Sequence, residues 1–193
     1  MDNSILLFKN YLAQCNDFSS EELDLILSKM EYKRVPKKTS LLNIGEICDF
    51  EAFVLKGIGI SYFIHENGSK VILSFASESW WLSDIESFHR QTPSKMCIET
   101  IEEMEILSLS LKDKEELLHS IPKLERMYRL ILQNHLVNYQ QRLLANIAQS
   151  GKERYQFFIE KYPDLMQRVP QHLIASYLGI TAEFLSRIRA GKN

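Results

Sequence analysis

The stretch from Gln171 to Arg189 reads Q-H-L-I-A-S-Y-L-G-I-T-A-E-F-L-S-R-I-R. Its apolar residues have the spacing of two short helices that each bury one face: Ile174, Leu178, Leu185 and Ile188. Gly179 can adopt a positive φ and end the first helix, and Thr181 is a suitable N-cap for the second. Ala175 is small where the helices would cross. The pattern predicts a helix-turn-helix whose second helix lies in the DNA major groove; the alternative is an ordinary αα-hairpin in a helical core.

Charge is unevenly distributed along the chain. The 193 residues carry a net charge of −2. From Gly151 to Asn193 there are seven Lys or Arg and four Asp or Glu, so this segment carries +3 and the remainder −5. Positive charge therefore accompanies the helix-turn-helix, as contact with DNA phosphates requires.

Several classes of protein fit the sequence poorly. No apolar run is as long as a membrane span, and the N-terminus lacks the basic region of a signal peptide. The three cysteines and five histidines are scattered, with no metal-ligand spacing and no catalytic constellation. We therefore expect a cytoplasmic protein that is not an enzyme, with reduced thiols, no metal, no cofactor and no membrane partner.

The first 110 residues predict two helices followed by a region of short strands. The helices fall within 3–13 and 18–30, and the second begins with Ser19 or Ser20 as its cap. Asn67-Gly68 predicts a hairpin with a type I′ turn. Together the strands predict an antiparallel β-barrel or jelly roll. The candidate strands are Glu31–Val35, Ser40–Leu42, Ala52–Lys56, Gly59–His65, Lys70–Ala76, Met96–Thr100 and Glu105–Leu109.

The pattern then returns to helix, first over 111–120 and then in a long helix from about Pro122 to Gln149. This long helix is apolar on more than one side, so it needs more than one partner. Its two seven-residue rows are Leu130, Val137 and Leu144, and Leu124, Ile131, Asn138 and Ala145. We expect the barrel on one side and the same helix of a second subunit on the other; the alternative is a helix buried within one subunit. Ser150-Gly151 predicts a break and a hinge.

Four motifs carry a resemblance to a known family. Three lie in the strand region: N-I-G-E at 43–46, V-L-K-G-I-G-I at 54–60 and E-N-G-S-K at 66–70. The fourth and most specific is P-x-L-x-x-R-V-P from Pro163, followed by I-A-S-Y-L-G-I-T-x-E-x-L-S-R-I from Ile174. With these motifs the chain resembles the Crp/Fnr family of bacterial transcription regulators, in particular its Bacteroidetes-type branch, over nearly its whole length.

The resemblance implies an α+β chain with three parts. These are a cyclic-nucleotide-binding-like sensor barrel over 1–121, a dimerisation helix over 122–149 and a helix-turn-helix DNA-binding domain over 150–193. The protein would be a homodimer that binds double-stranded DNA. RNA polymerase and a small-molecule effector are candidate partners.

The family's E-x-x-S-R pattern falls on Glu183, Ser186 and Arg187. Arg can donate two hydrogen bonds to guanine, and Glu can accept one from cytosine, so we expect these three residues to contact bases. The alternative for Glu183 and Arg187 is a solvated intrahelical salt bridge. Ala182 stands where many relatives have a DNA-contacting Arg. The residues expected to contact the DNA backbone are His172, Thr181, Arg189 and Lys192.

The cyclic-AMP site of the family matches poorly. In its cyclic-AMP-binding members a phosphate-binding cassette reads G-E-L and, about ten residues later, Arg-Ser or Arg-Thr. Here the aligned positions hold Ser83, Asp84 and Ile85, and then Pro93 and Ser94. Proline offers neither a charge nor an N–H group. The positions that face adenine in relatives hold Tyr139 and Gln140.

We therefore expect that the barrel does not bind cyclic AMP. Arg90 or Lys95 could supply a charge, but neither is at the matching position. Trp80 and Trp81 could line an apolar pocket, or they could be ordinary packed aromatics. The main alternative to a DNA-binding regulator is a sensor protein that binds a cyclic nucleotide or another small molecule.

Overall fold

The computed structural model describes the backbone of residues 2–191. The helices in this range are α1 (Asp2–Cys15), α2 (Ser20–Lys29), α3 (Ile85–Arg90), α4 (Leu111–Ser120), α5 (Lys123–Ala148), α6 (Gly151–Lys161), α7 (Leu165–Arg168), α8 (Gln171–Leu178) and α9 (Ala182–Arg189). The strands are β1 (Glu31–Val35), β2 (Ser40–Leu42), β3 (Glu51–Lys56), β4 (Gly59–Ile64), β5 (Lys70–Ala76), β6 (Trp81–Leu82), β7 (Cys97–Thr100) and β8 (Met104–Leu109).

The strands form two antiparallel sheets with the orders β1-β8-β3-β6 and β2-β7-β4-β5. Apolar side chains from both sheets meet between them, and Val54, Ile98 and Ile106 are almost fully buried there. Two four-stranded sheets that share a core are the arrangement of a jelly roll. The predicted fold, a barrel or jelly roll in an α+β chain with a long helix, is confirmed.

All seven predicted strands form, and their ends differ from the predicted ones by at most one residue. Two elements were not predicted, the two-residue strand β6 and the six-residue helix α3. The side chain of Asp84 caps α3 by accepting a hydrogen bond from the Ser87 N–H at 3.2 Å.

The hairpin between β4 and β5 does not have the predicted type I′ turn. Gly68 has a φ of +81°, but the φ of Asn67 is not positive. The Gly68 N–H donates to the His65 carbonyl at 2.8 Å, and the His65 N–H donates to the Ser69 carbonyl at 2.9 Å. This is a three-residue loop that ends in a left-handed glycine, whereas a type I′ turn has two residues and a positive φ at both. The prediction of the turn type is wrong, although the hairpin itself is present.

Helix α1 packs on the outer face of the sheet that contains β3. The rings of Phe8 and Tyr11 lie 4.9 and 4.8 Å from the ring of Phe53, and Trp81 completes this aromatic cluster at 5.4 Å from Phe53. The Trp81 indole N–H donates to the Tyr11 hydroxyl at 3.2 Å. Trp81 is therefore a packed core aromatic. Trp80 packs against Tyr162, with the ring centroids 5.5 Å apart.

The two ends of α5 have different surroundings. Near its start, Leu124 and Met127 are buried against the outer face of the barrel. Farther along, large apolar side chains are exposed in the single chain: Leu132, Leu136, Val137, Leu143, Leu144 and Ile147. The helix ends at Ala148, and Ser150 begins α6 with a capping box to Glu153.

Gly151 is the first residue of α6, and its φ is not positive. A Cβ added there would lie 2.8 Å from both the Ile180 and the Phe184 side chains. Close packing therefore explains this glycine, because Ile180 lies in the turn and Phe184 in the second helix of the helix-turn-helix. A hinge at this position stays a prediction.

The C-terminal helices share a hydrophobic core with the barrel, and α8 packs directly on β5. Ile72 and Phe75 of β5 share one core cluster with Phe158 of α6 and Leu173 of α8. The boundaries after 121 and 149 stay predictions, because side chains on both sides of Ser150 belong to the same core.

Candidate DNA-reading surface

The turn between α8 and α9 is closed by hydrogen bonds from two successive residues. Gly179 has a φ of +65°, and its N–H donates to the Ser176 carbonyl at 3.1 Å. The Ile180 N–H donates to the Ala175 carbonyl at 3.0 Å. This pair of bonds is the Schellman motif, which favours glycine because it requires a left-handed residue. Thr181 then caps α9, because its hydroxyl accepts from the Phe184 N–H at 3.1 Å.

One face of α9 is buried and the other is open. Leu185 is 1% exposed and holds α9 against α8, whereas Glu183, Ser186 and Arg187 are exposed. Glu183 lies in the first turn, where hydrogen bonds from its own backbone N–H and from Thr181 lower the pKa of its carboxyl. The three predicted base-contacting residues thus lie together on the exposed side of one helix.

Glu183 and Arg187 are both in the described part of the chain, and they form no ion pair there. Instead, the Arg187 guanidinium lies over the Phe184 ring, 5.4 Å from its centroid. Both charged groups can therefore approach another molecule without first separating from each other.

Three of the residues predicted to contact the DNA backbone lie at the two ends of α9 and at the start of α8. Thr181 lies at the start of α9, Arg189 at its end, and His172 in the first turn of α8, and all three are exposed. Lys192 lies outside the described residues.

The aligned cassette region is built from internal hydrogen bonds between its own residues. The Ser94 hydroxyl donates to the Asp84 carboxylate at 2.6 Å, and both residues are buried. The Ser83 hydroxyl donates to the Phe50 carbonyl at 2.9 Å. Pro93 forms an isolated antiparallel bridge with Ile47. A buried carboxylate therefore lies in the region that the sequence alignment matches to the cassette, and its negative charge disfavours an anion beside it.

The remaining ligand-site candidates are not part of this group. Ile85 is exposed at the start of α3. Tyr139 and Gln140 are exposed on α5 and form no hydrogen bond with Ser83, Asp84 or Ser94. The structure thus joins Asp84 and Ser94 by a hydrogen bond, and among the described residues no hydrogen bond connects them to Tyr139 or Gln140.

Among residues 2–191, none of the helices is long and apolar enough to cross a membrane. The same part of the chain contains no group of three or more His, Cys, Asp or Glu side chains that could hold a metal ion. Within it, Cys15, Cys48 and Cys97 are free thiols.

Solved structures of bacterial regulators have the same arrangement. CLP of Xanthomonas campestris, described as a c-di-GMP-responsive global regulator, is similar with a TM-score of 0.72 and 13% identity, over 90% of this chain and 91% of that one. FixK2 of Bradyrhizobium japonicum is similar with a TM-score of 0.73 and 15% identity, over 84% and 83% of the two chains. A regulator of the Crp/Fnr family from Eubacterium rectale has a TM-score of 0.70 and 14% identity, over 94% and 87%.

The chain has the Crp/Fnr fold. The resemblance indicated by the sequence motifs is thereby confirmed at the level of structure. No protein-family model and no curated protein sequence matches the chain. The similar structures are transcription regulators and not enzymes.

In this Crp/Fnr fold, two polar residues that sequence analysis did not single out connect the C-terminal helices to the barrel through hydrogen bonds. The Ser176 hydroxyl of α8 accepts from the Ile72 N–H at 3.1 Å and donates to the Lys70 carbonyl at 2.8 Å. It thus satisfies backbone groups of β5, which is an edge strand of its sheet. Arg168 of α7 binds Glu78 through two hydrogen bonds and also binds Glu102. Arg168 belongs to the R-V-P motif, so the sequence marks this residue as part of a family pattern. The motif does not reveal that its partners are Glu78 and Glu102.

Proposed function

We propose that the chain is a homodimeric transcription regulator of the Crp/Fnr type that binds specific DNA sequences through α9. The observation that carries this proposal is the exposed face of α9. Glu183, Ser186 and Arg187 are exposed to solvent there, while the buried Leu185 packs the helix against α8. In a helix-turn-helix, that face of the second helix enters the major groove.

The chemistry of each side chain gives it a separate role at the DNA. Arg187 would donate two hydrogen bonds to O6 and N7 of a guanine, and Glu183 would accept one from N4 of a cytosine. Ser186 can donate to or accept from a neighbouring base edge. His172, Thr181, Arg189 and Lys192 would contact phosphates and set the register of the protein on the duplex.

A second subunit would cover the exposed apolar side of α5. Leu136, Leu143 and Ile147 recur at spacings of seven and four residues and are 59%, 61% and 76% exposed in the single chain. Exposed apolar surface of this extent on one helix is typical of a subunit interface. A two-fold dimer would present two copies of α9 about 34 Å apart, one DNA turn, to a near-palindromic site.

We further propose that the barrel does not bind cyclic AMP. The buried Asp84 carboxylate and Pro93 occupy positions where an anionic phosphate needs cations and N–H donors. A sensor protein for a cyclic nucleotide is the alternative, and the same two residues argue against it. Contact with RNA polymerase, a small-molecule effector and a cytoplasmic location belong to the same proposal.

The direct test is DNA binding as a function of salt. The E-x-x-S-R pattern of the Crp/Fnr family points to a half-site similar to TTGA. We expect the protein to bind a palindrome of two such half-sites much more tightly than a scrambled duplex. Affinity should fall by roughly 1,000-fold or more between about 50 and 200 mM salt if six or more phosphates are contacted. Fluorescence anisotropy with labelled duplexes measures both quantities. Equal affinity for the two duplexes at both salt concentrations would contradict the proposal.

A further inference from the structure

A small cavity lies where α5, α6 and the end of α8 meet, away from both α9 and the cassette region. Its volume open to water is about 30 Å³. Three cationic side chains line it, Arg142 of α5 and Arg154 and Lys161 of α6, and its lining contains no Asp or Glu. All three cations are half-buried.

None of these three cations has a carboxylate partner among the described residues. Arg142 donates to the backbone carbonyls of Leu73, Ile72 and Tyr177. Its Nε is buried and has no hydrogen-bond partner. This guanidinium also lies over the Tyr177 ring, 4.1 Å from its centroid, so the protein supplies neutral acceptors and an aromatic face and leaves one donor unused.

The other two cations are held in the same way. Arg154 donates from Nε to the Leu178 carbonyl at 2.9 Å and from Nη1 to the Gln149 carbonyl at 2.7 Å. Lys161 donates to the side-chain oxygens of Asn138 and Gln141 at 2.7 and 3.1 Å. Burial lowers the pKa of Lys161, as expected for a cation that lacks a counter-charge.

Two other cations that burial removes from water, Lys114 and Arg168, are paired with acids. Lys114 binds the Glu51 carboxylate at 2.7 Å, and Arg168 binds Glu78 and Glu102. A charge taken out of water normally has such a partner, because an unpaired one is costly. Three cations around one cavity without an acid therefore form an arrangement that an anion would complete.

A pair of phenol groups can add one neutral donor. Tyr162 and Tyr177 also line the cavity. Burial raises the pKa of both hydroxyls, and the two hydroxyls hydrogen-bond to each other, so one of the two O–H groups is left to donate to a ligand. The cavity thus combines positive charge with N–H and O–H donors, which is the chemistry that recognises oxyanions.

The size of the cavity limits the ligand. A single water needs about 10–15 Å³ of such space, so 30 Å³ accommodates one compact group. We propose that this cavity binds one phosphate group, either as inorganic phosphate or as the phosphate of a small monoester. Such a ligand would touch α5, α6 and α8 at once and would stabilise their junction. This inference goes beyond the proposed DNA binding and does not depend on it.

The test is calorimetric titration of the whole protein with inorganic phosphate and, separately, with glycerol 3-phosphate, in the absence of DNA. Ionic strength is kept constant with chloride. The variants are Arg154→Gln and Lys161→Gln, which remove one charge each. Arg129→Gln is the matched control, because Arg129 is an exposed cation of α5 outside this cavity. Circular dichroism checks that each variant is folded.

We expect saturable phosphate binding by the wild type and by Arg129→Gln, weakened about tenfold or more in each of the two cavity variants. Equal affinity for both ligands would identify the phosphate group alone as the ligand, and tighter binding of the monoester would identify a phosphorylated small molecule. The proposal is overturned if neither ligand gives saturable heat with the wild type. It is also overturned if both cavity variants bind as the control does.

Discussion

The Ser94 hydroxyl donates a 2.6 Å hydrogen bond to the Asp84 carboxylate, and both residues are buried. The other Asp84 oxygen accepts from the Ser87 N–H and caps α3. In this chain the residues aligned with a phosphate-binding cassette therefore support one another. The acidic group has a structural role here that a bound phosphate would oppose.

Asp84→Ala should destabilise the fold, because it removes a helix cap and leaves the buried Ser94 hydroxyl without this acceptor. We expect a loss of about 2–4 kcal/mol in the free energy of unfolding. Glu86→Ala on the same helix is the control, since Glu86 is exposed and should change stability by less than about 0.5 kcal/mol. Urea denaturation measures both. A similar small effect of the two substitutions would contradict a structural role for Asp84.

Cyclic AMP should bind weakly or not at all. Without a cation at Pro93 and with Asp84 next to that position, we expect no saturable binding below about 1 mM by calorimetry. Micromolar affinity would show that another cation replaces the missing one. Arg90 and Lys95 would then be substituted by Gln to identify it.

Arg168 should stabilise the contact between the C-terminal helices and the barrel, and this contribution should depend on pH. Burial tends to raise the pKa of Glu78, but hydrogen bonds from Arg168 and the Gly57 N–H outweigh it and lower that pKa. A carboxyl with a lowered pKa contributes stability above its unfolded pKa and loses it as the pH falls through the folded value. Arg168→Gln should therefore cost about 1–2 kcal/mol at pH 7, and the cost should shrink below about pH 4.

Denaturation of both proteins at pH 7 and at acidic pH measures this difference. The control is Arg90→Gln, which breaks an exposed pair with Glu86 and should cost less than about 0.5 kcal/mol at either pH. A cost for Arg168→Gln that does not change with pH would contradict the assignment to Glu78.

Charge on the exposed side of α5 should prevent dimerisation. Leu136→Glu introduces two carboxylates into a symmetric interface, one from each subunit, so we expect the dimer to dissociate at least about tenfold more readily. Asn134→Glu adds the same charge at another exposed position of α5 and should leave the dimer intact. Analytical ultracentrifugation measures the subunit equilibrium. Wild-type protein that sediments as a monomer would contradict the proposed assembly.

The parts of the fold that sequence predicts well depend on local chemistry. Strands β1, β2 and β5 and helix α4 have the predicted ends, because alternating side chains, turn residues and a cap mark them locally. The turn of the helix-turn-helix is equally local, since Gly179 and Thr181 form their hydrogen bonds with residues three positions away. Short elements such as β6 give no periodic signal.

The parts that sequence does not predict depend on partners outside the motif in which a residue stands. The geometry of the β4–β5 turn follows from the pairing of Ile64 with Lys70, which the dipeptide Asn67-Gly68 does not encode. Arg142 reads as a solvated residue of a helix, yet it binds backbone carbonyls about seventy residues earlier. The role of Asp84 depends on its hydrogen bond with Ser94, which the alignment with a ligand-binding cassette does not encode.

Arg187 should contact a base and not only the DNA backbone. Arg187→Ala should lose a bidentate contact with guanine, at a cost of about 1–3 kcal/mol per half-site, and should relax the preference at that base pair. Arg189→Ala is the comparison, because loss of a phosphate contact should weaken binding to all sequences alike and make the salt slope shallower by about one unit. General unfolding would instead abolish both kinds of binding.

Selection of binding sites from randomised duplexes, carried out with wild type, Arg187→Ala and Arg189→Ala, is the most direct measurement. We predict that wild type and Arg189→Ala select the same near-palindrome with a G·C pair in each half-site. Arg187→Ala should accept any base pair at that position. If Arg187→Ala selects the wild-type sequence unchanged and only binds it more weakly, Arg187 contacts phosphate, and α9 does not read DNA in the way proposed here.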